Sequence, residues 1–322
     1  MSKKSNKEND FEKKLKHIKK NIDYISERCD KSRIAIFFDM IWCKLKYNIS
    51  FNEYRIYEFY LIDAEKRKTY LSIFKHNEYS KYLFDNKISN TILNKKLFFK
   101  RFKKYINRDI YNYSDFNFKS FEEFAKTNKR ILARSNNRSF ISSYKVYDVS
   151  DFRSPAYLHD RLDKDNLTII EKEIKQLKKL DEISALVVIN LVSIYTDKTD
   201  IIASSIKYKE NGKIVTGYVD PKKGVIKGNL KNEKGLNVTD KFDKFEIPYY
   251  DKLVNLVEKL SKEMEEFVEI EWSFVINNRG SIYLVDANKW EDYVFAQTSE
   301  FLNNRIGLYN YYKKLMKKIR DN

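Results

Sequence analysis

The chain has 322 residues, 42% of them hydrophobic and 15% aromatic, and a formal net charge of +17 from 63 Lys+Arg against 46 Asp+Glu. This composition is globular, and the length suffices for two or three subdomains with cores of their own. Cys29 and Cys43 are the only cysteines, and with no second pair they read as free thiols in a reducing cytoplasm rather than as a disulfide or zinc framework.

The positive balance suits anionic ligands such as nucleotide phosphates, nucleic acid or a membrane surface without choosing among them, and a general Lys-, Asn-, Ile- and Tyr-rich bias accounts for much of it. The N-terminus lacks the apolar core of a secretory signal, so a cytoplasmic protein is expected. From residue 10, Phe11, Leu15, Ile18, Ile22 and Ile25 recur at spacings of four and three and predict an amphipathic helix. Residues 33–47 predict a second helix. Its apolar run, 34–43, is too short for a membrane span and carries Asp39, so it reads as buried. Ser50 with Glu53 fits a capping box opening a third helix through Tyr54, Tyr57 and Phe59. Residues 65–83 and 93–105 predict two more. The latter has a basic face of Lys95, Lys96, Lys100, Arg101, Lys103 and Lys104, a pattern that is usually solvated. Ser120 with Glu123 predicts the cap of another short helix.

After residue 129 the period changes to that of strands. Residues 130–134 and 140–146 predict two strands joined by 135–139, and 167–170 predicts a third that runs into Glu171-Lys172-Glu173 and a helical turn. The nearly continuous apolar run 186–195 predicts a central strand. Asn211-Gly212 between 201–208 and 213–219 is the clearest hairpin signal. Asp220-Pro221-Lys222-Lys223-Gly224 then turns the backbone into another strand. Pro248 precedes a helix with Leu253, Val257, Leu260 and Met264 on one face. Two alternating runs, 268–276 and 281–285, flank Asn278-Arg279-Gly280 and predict a hairpin ending in Asp286-Ala287-Asn288. A basic helix over 299–320 closes the chain.

A helical front followed by a β-rich body predicts an α+β fold. Asp286 and Asn288, two apart on a strand, project from one face, which read without context is foremost turn chemistry and secondly a hard-cation and phosphate site. None of the seven glycines precedes Gly212, so no Walker or dinucleotide loop exists. His17, His76 and His159 have no ligand spacing and read as surface residues.

The order of these elements resembles that of the ATP-grasp proteins, and within them the sugar-transfer associated, alpha-L-glutamate ligase-related branch, over roughly residues 39–297. The residues that carry the resemblance are Asp39-Met40-Ile41-Trp42-Cys43-Lys44-Leu45-Lys46-Tyr47, Tyr54, Phe59-Tyr60, and Asn94-Lys95 with Phe98, Phe102 and Arg108-Asp109. It implies an ATP-grasp fold with a helical N-terminal region (1–128), a lid (129–180), a C-terminal sheet subdomain (181–298) and a basic helix (299–322). It further implies ATP and Mg²⁺. Lys95 and Arg134 would hold phosphates, with Arg134 in place of the family's lysine, and loop 135–139 would be the lid, here without glycine. The adenine hinge would be 168–174, with Ile170 beside the base and Glu171 or Glu173 on the ribose, although a strand-to-helix junction is often acidic for its own reasons. Asn190, where the family has arginine, and Lys207 would form the catalytic pair. Asp286 and Asn288 would hold the metal. Ser273 stands where a second acid is expected, and Glu271 lies about 6.6–7 Å along the same strand face.

The activity implied is ATP-dependent ligation of a carboxylate to an amine through an acyl phosphate, in cell-surface polysaccharide modification, with a glycan precursor as one partner. Four departures equally fit a catalytically degenerate relative that binds nucleotide or serves as a scaffold: the glycine-free lid, Arg134, Asn190 and Ser273. Nucleic acid is not an expected partner, since no recognition module is present.

Overall fold

The computed structural model describes residues 2–84, 89–108, 110–112, 118–302 and 304–321. Asp109, one of the residues in the resemblance, lies outside them. The chain divides into two compact units, Met1–Tyr82 with Glu291–Asn322, and Leu83–Trp290, so the second is inserted into the sequence of the first.

The first unit begins with α1 (Ser2–Ser26), α2 (Arg33–Tyr47), α3 (Phe51–Ile56), a 3₁₀ turn (Phe59–Leu61), α4 (Ala64–Arg67) and α5 (Ile73–Leu83). The capping box forms as the sequence predicts: Glu53 N donates to Ser50 Oγ (3.2 Å) and Ser50 N to Glu53 Oε2 (2.8 Å). The third helix is shorter than expected, because Glu58 adopts φ 54° and turns the chain into the 3₁₀ segment. Residues 65–83 are not one helix. Thr69 Oγ1 donates back to Lys66 O (2.6 Å), and Leu71 N donates to Gln297 Oε1 (2.8 Å), which breaks the helical ladder before α5.

Asp39 anchors this unit. It accepts from Arg67 Nη1 and Nη2 (2.7 and 2.8 Å) and from Tyr54 O–H (2.6 Å). His76 is buried and stacks on Tyr293 at 3.9 Å, which corrects its reading as a surface residue. Nor is α2 buried all round. Ile36, Met40 and Cys43 enter the core, whereas Ile34, Phe38, Trp42 and Leu45 are exposed.

The second unit starts with α6 (Ser89–Leu93), α7 (Lys95–Arg101) and α8 (Lys103–Ile106) in place of a single helix. The Asn94 side chain accepts from Lys96 N and Leu97 N and so starts α7 afresh. Then follow β1 (Ile110–Asn112), α9 (Phe118–Thr127), β2 (Arg130–Arg134), α10 (Phe140–Ser143), β3 (Lys145–Asp148), α11 (Pro155–Lys164) and β4 (Ile169–Lys172). Helix α9 begins before Ser120, so Ser120 is not its cap. Residues 140–146 hold a helical turn before a strand, not one strand. The four strands form an antiparallel sheet in the order β1-β4-β2-β3.

A 3₁₀ turn (Lys178–Glu182) leads to β5 (Val188–Tyr195), β6 (Thr199–Glu210), β7 (Lys213–Val219), β8 (Ile226–Asn232), β9 (Asn237–Thr239), α12 (Tyr250–Glu263), β10 (Glu269–Ile276) and β11 (Ile282–Asn288). These strands form a seven-stranded sheet, β11-β10-β5-β6-β7-β8-β9, antiparallel throughout, so the architecture is α+β. Asn211 and Gly212 both take positive φ (50° and 76°), as the tight β6–β7 hairpin requires. The closing helix, α13, spans Tyr309–Asp321 and is shorter than expected, since a 3₁₀ turn (Asp292–Gln297) and irregular chain precede it.

Strand alternation sorts the large sheet into two faces. One carries Ile189, Leu191, Ile206, Trp272 and Phe274, which share a core with Leu253, Val257, Leu260 and Met264 of α12. The other carries Val188 and Val275, which share a smaller core with Leu132, Phe140, Ile141 and Ile174 from the four-stranded side. Asn190, Lys207, Glu271 and Ser273 fall on that second face by the same alternation.

Candidate functional site

Because Asn94 caps α7, Lys95 occupies its first turn and turns inward toward the end of β11. Its Nζ lies 2.5 Å from Asp286 Oδ1, with the side chains 1% and 0% exposed. The ammonium also donates to Ile92 O (3.1 Å), Ala287 O (3.2 Å) and Asn288 Oδ1 (3.2 Å). The other oxygen of Asp286 accepts from Phe140 N (2.7 Å), and Oδ1 also accepts from Ala287 N (3.0 Å). Burial pulls the Lys95 ammonium below its usual value of 10.5, and Asp286 pulls against that shift.

Arg134, the last residue of β2, is fully buried. Its Nη2 donates to Val285 O (3.0 Å), and its guanidinium lies 4.9 Å from the ring centres of both Phe99 and Phe140. Burial lowers its pKa too, with Glu171 and Asp286 opposing. A guanidinium nevertheless stays charged. Its Nε is 3.4 Å from Glu171 Oε1, and Glu171 Oε2 accepts a hydrogen bond from Arg108 Nε. Arg108 Nη1 reaches Leu284 O (2.8 Å). Arg134 Nε and Nη1, Glu171 Oε1 and Asn190 Nδ2 are buried with no hydrogen-bond partner.

Two further pairs complete the face: Ser273 Oγ donates to Asn190 Oδ1 (2.7 Å), and Lys207 Nζ to Glu271 Oε1 (2.8 Å). The fold thus gathers Lys95, Asp286 and Asn288 into one contact set and Arg134 and Glu171 into an adjoining one. Glu173 instead pairs with Arg130 (2.8 Å), and Ile170 packs into a core with Phe121, Ile131 and Leu158. Sequence patterns missed Phe140, whose amide seals Asp286, and the pairing of Arg108 with Glu171. Neither has a local signature, since the partners are 146 and 63 residues away.

Mg²⁺ needs near-octahedral oxygen ligation at about 2.0–2.1 Å. Here both carboxylates of the expected set are held by ammonium groups, Asp286 by Lys95 and Glu271, which lies opposite Asn288 in the strand register, by Lys207, and Asn288 Oδ1 already accepts from Lys95. Among the described residues no group of three or more His, Cys, Asp or Glu side chains is placed to hold a metal. The metal therefore does not fit this arrangement. Phe140 and Ile141 pack with Leu132, Val188 and Val275 in one core, and Lys172, Glu173 and Ile174 line a 590 Å³ cavity with Arg108, Asn277 and Arg279.

No family model and no curated protein matches the sequence. Solved structures are similar in part. D-alanyl-alanine synthetase A from Vibrio cholerae O1 biovar eltor is 9% identical, with a TM-score of 0.45 over 72% of this chain and 64% of its own. An ADP complex of N5-carboxyaminoimidazole ribonucleotide synthetase, purK, is 12% identical, with a TM-score of 0.42 over 65% of this chain and 50% of its own. The ATP-grasp ligase PsnB complexed with minimal precursor is 6% identical, with a TM-score of 0.42 over 74% and 63%. The chain thus spans less than two-thirds of the length of each.

Proposed function

We propose that Leu83–Trp290 is an ATP-grasp-type body whose phosphate and metal positions have become structural charge pairs, making the protein a catalytically degenerate relative that acts as a scaffold. The observation that supports this is Asp286: at zero exposure, both of its oxygens are consumed by Lys95 and by the amides of Phe140 and Ala287. Admitting metal and nucleotide would require breaking that pair, at about 3–5 kcal/mol, and exposing Phe140, at about 1.5–3 kcal/mol. The sum weakens binding by roughly 10³–10⁶-fold, which takes a micromolar ligand to the millimolar range or beyond.

A second reading is an ATP-dependent carboxylate–amine ligase with a glycan precursor as acceptor, opened by outward movement of α10. Its support is Arg134 Nη1 and Asn190 Nδ2, buried without a hydrogen-bond partner, since buried groups of this kind usually have one. Titration of Mg·ATP by calorimetry, with ATP turnover followed alongside, decides between the two. The scaffold reading expects neither saturable binding below about 1 mM nor turnover. Turnover stimulated by an amine and a carboxylate would replace it with the ligase.

A further inference from the structure

Helix α2 is apolar on two sides. The inner side, Ile36, Met40 and Cys43, is at most 1% exposed. At about 100° per residue, Ile34, Phe38, Trp42 and Leu45 fall on the opposite arc. They are 71%, 63%, 41% and 81% exposed and form one continuous ridge. A helix apolar all round belongs in a core or against lipid, and the outer arc here faces away from the core.

Its margins are cationic. Arg33, bridged to Asp23 at 3.1 Å, and Lys44 follow one edge, and Lys46 follows the other. Lys46 Nζ lies 4.3 Å over the Trp42 ring. The helix's one acid, Asp39, is turned inward and held by Arg67 and Tyr54. Beyond the C-terminal end a 430 Å³ cavity is lined by Lys46, Asn48, Lys68 and Lys75 among others. Lys68 and Lys75 hold Glu65 and Glu78 in exposed pairs, which exchange at little cost for another anion.

We propose that α2 docks on an anionic phospholipid surface. The ridge enters the acyl boundary, Lys44 and Lys46 meet lipid phosphates, and the basic cavity receives a headgroup. Aromatic and aliphatic side chains between basic margins are the composition of interfacial helices. A second copy is the weaker occupant, because a two-fold pairing of this ridge would set the same cationic margins against each other, whereas an anionic surface neutralises them. No described helix is long and apolar enough to cross a membrane, so the attachment lies on the surface.

Trp42 supplies the reporter. Of the three tryptophans, Trp272 and Trp290 are 0% and 2% exposed, so a blue shift on adding lipid comes from Trp42. The test is flotation and tryptophan emission with phosphatidylcholine vesicles containing about one-third phosphatidylglycerol, against phosphatidylcholine alone. The expected result is flotation and a blue shift with the anionic vesicles, reduced at least ~10-fold in F38S/L45S and in K44E/K46E. All four positions lie on or beside the exposed arc, and circular dichroism verifies that both variants fold. Equal flotation with phosphatidylcholine alone, no flotation, flotation undiminished in F38S/L45S, or a dimer by light scattering that F38S/L45S dissolves would each overturn the proposal.

Discussion

Replacing Lys95 by Met keeps the apolar stem and removes the charge. The structure sets the loss: the 2.5 Å contact with Asp286, two hydrogen bonds to backbone carbonyls and one to Asn288. Asp286 is left charged at zero exposure, with only the amides of Phe140 and Ala287 as donors. Breaking one side of a buried pair costs about 3–5 kcal/mol, or about 6–20 °C in Tm for a unit of this size. D286N should cost a similar amount, whereas K95M/D286N should cost less than the sum by about 2–3 kcal/mol, because the second change removes the orphan left by the first. Urea unfolding followed by tryptophan emission reads all three, since Trp272 and Trp290 both lie buried in this unit. A K95M cost below about 1 kcal/mol, or strict additivity in the double variant, would mean that the pair is solvated and would remove the basis for a sealed cleft.

Two glycines with nearly equal φ should respond differently to alanine. At Gly212 (φ 76°) a Cβ meets nothing within 4 Å, so G212A should cost only the left-handed backbone penalty of about 1 kcal/mol. At Gly280 (φ 77°) the Cβ would sit 2.8 Å from the Tyr249 hydroxyl, and G280A should cost about twice as much in thermal melts. Burial acts to raise the pKa of Asp39, but the hydrogen bonds from Arg67 and Tyr54 prevail and hold it below 3.8. A depressed carboxylate contributes stability that is fully present above its unfolded value and is lost as pH falls through the folded one. Melts of the first unit should therefore lose stability below about pH 4, and D39N, costing roughly 3 kcal/mol at neutral pH, should flatten that acid limb.

Local rules made much of the fold legible. The Ser50–Glu53 box, the Asn211-Gly212 turn, the buried face of α12 and the central strand β5 each follow from a few neighbouring residues. The burial of Lys95 is not legible in the same way, since six basic residues at helical spacing look like one solvated face. Asn94 restarts the helix and turns the first of them inward. Phe140-Ile141-Ser142-Ser143 has the composition of a strand, but a carboxylate far along the chain captures the Phe140 amide and sets a helical turn. The order of the expected site residues along the chain is legible in the sequence, whereas their state of pairing depends on contacts that no local pattern encodes. β1 and β9 are too short to leave a periodic trace.

The insertion of one unit within the sequence of the other has a consequence for biosynthesis. Gln297, 0% exposed, joins the two halves of the first unit. Its Nε2 donates to Tyr57 Oη and Leu71 O, both at 3.0 Å, and its Oε1 accepts from Leu71 N and Leu308 N. At about 5–20 residues per second, helices α1–α5 leave the ribosome roughly 10–40 s before the segment that closes their core. For that interval Tyr57, Leu71 and His76 lack the partners that bury them, and the inserted unit can mature first. The first unit is therefore the part of the nascent chain that calls for a holding chaperone, and premature termination after residue 290 would leave the inserted unit intact beside an unfinished one.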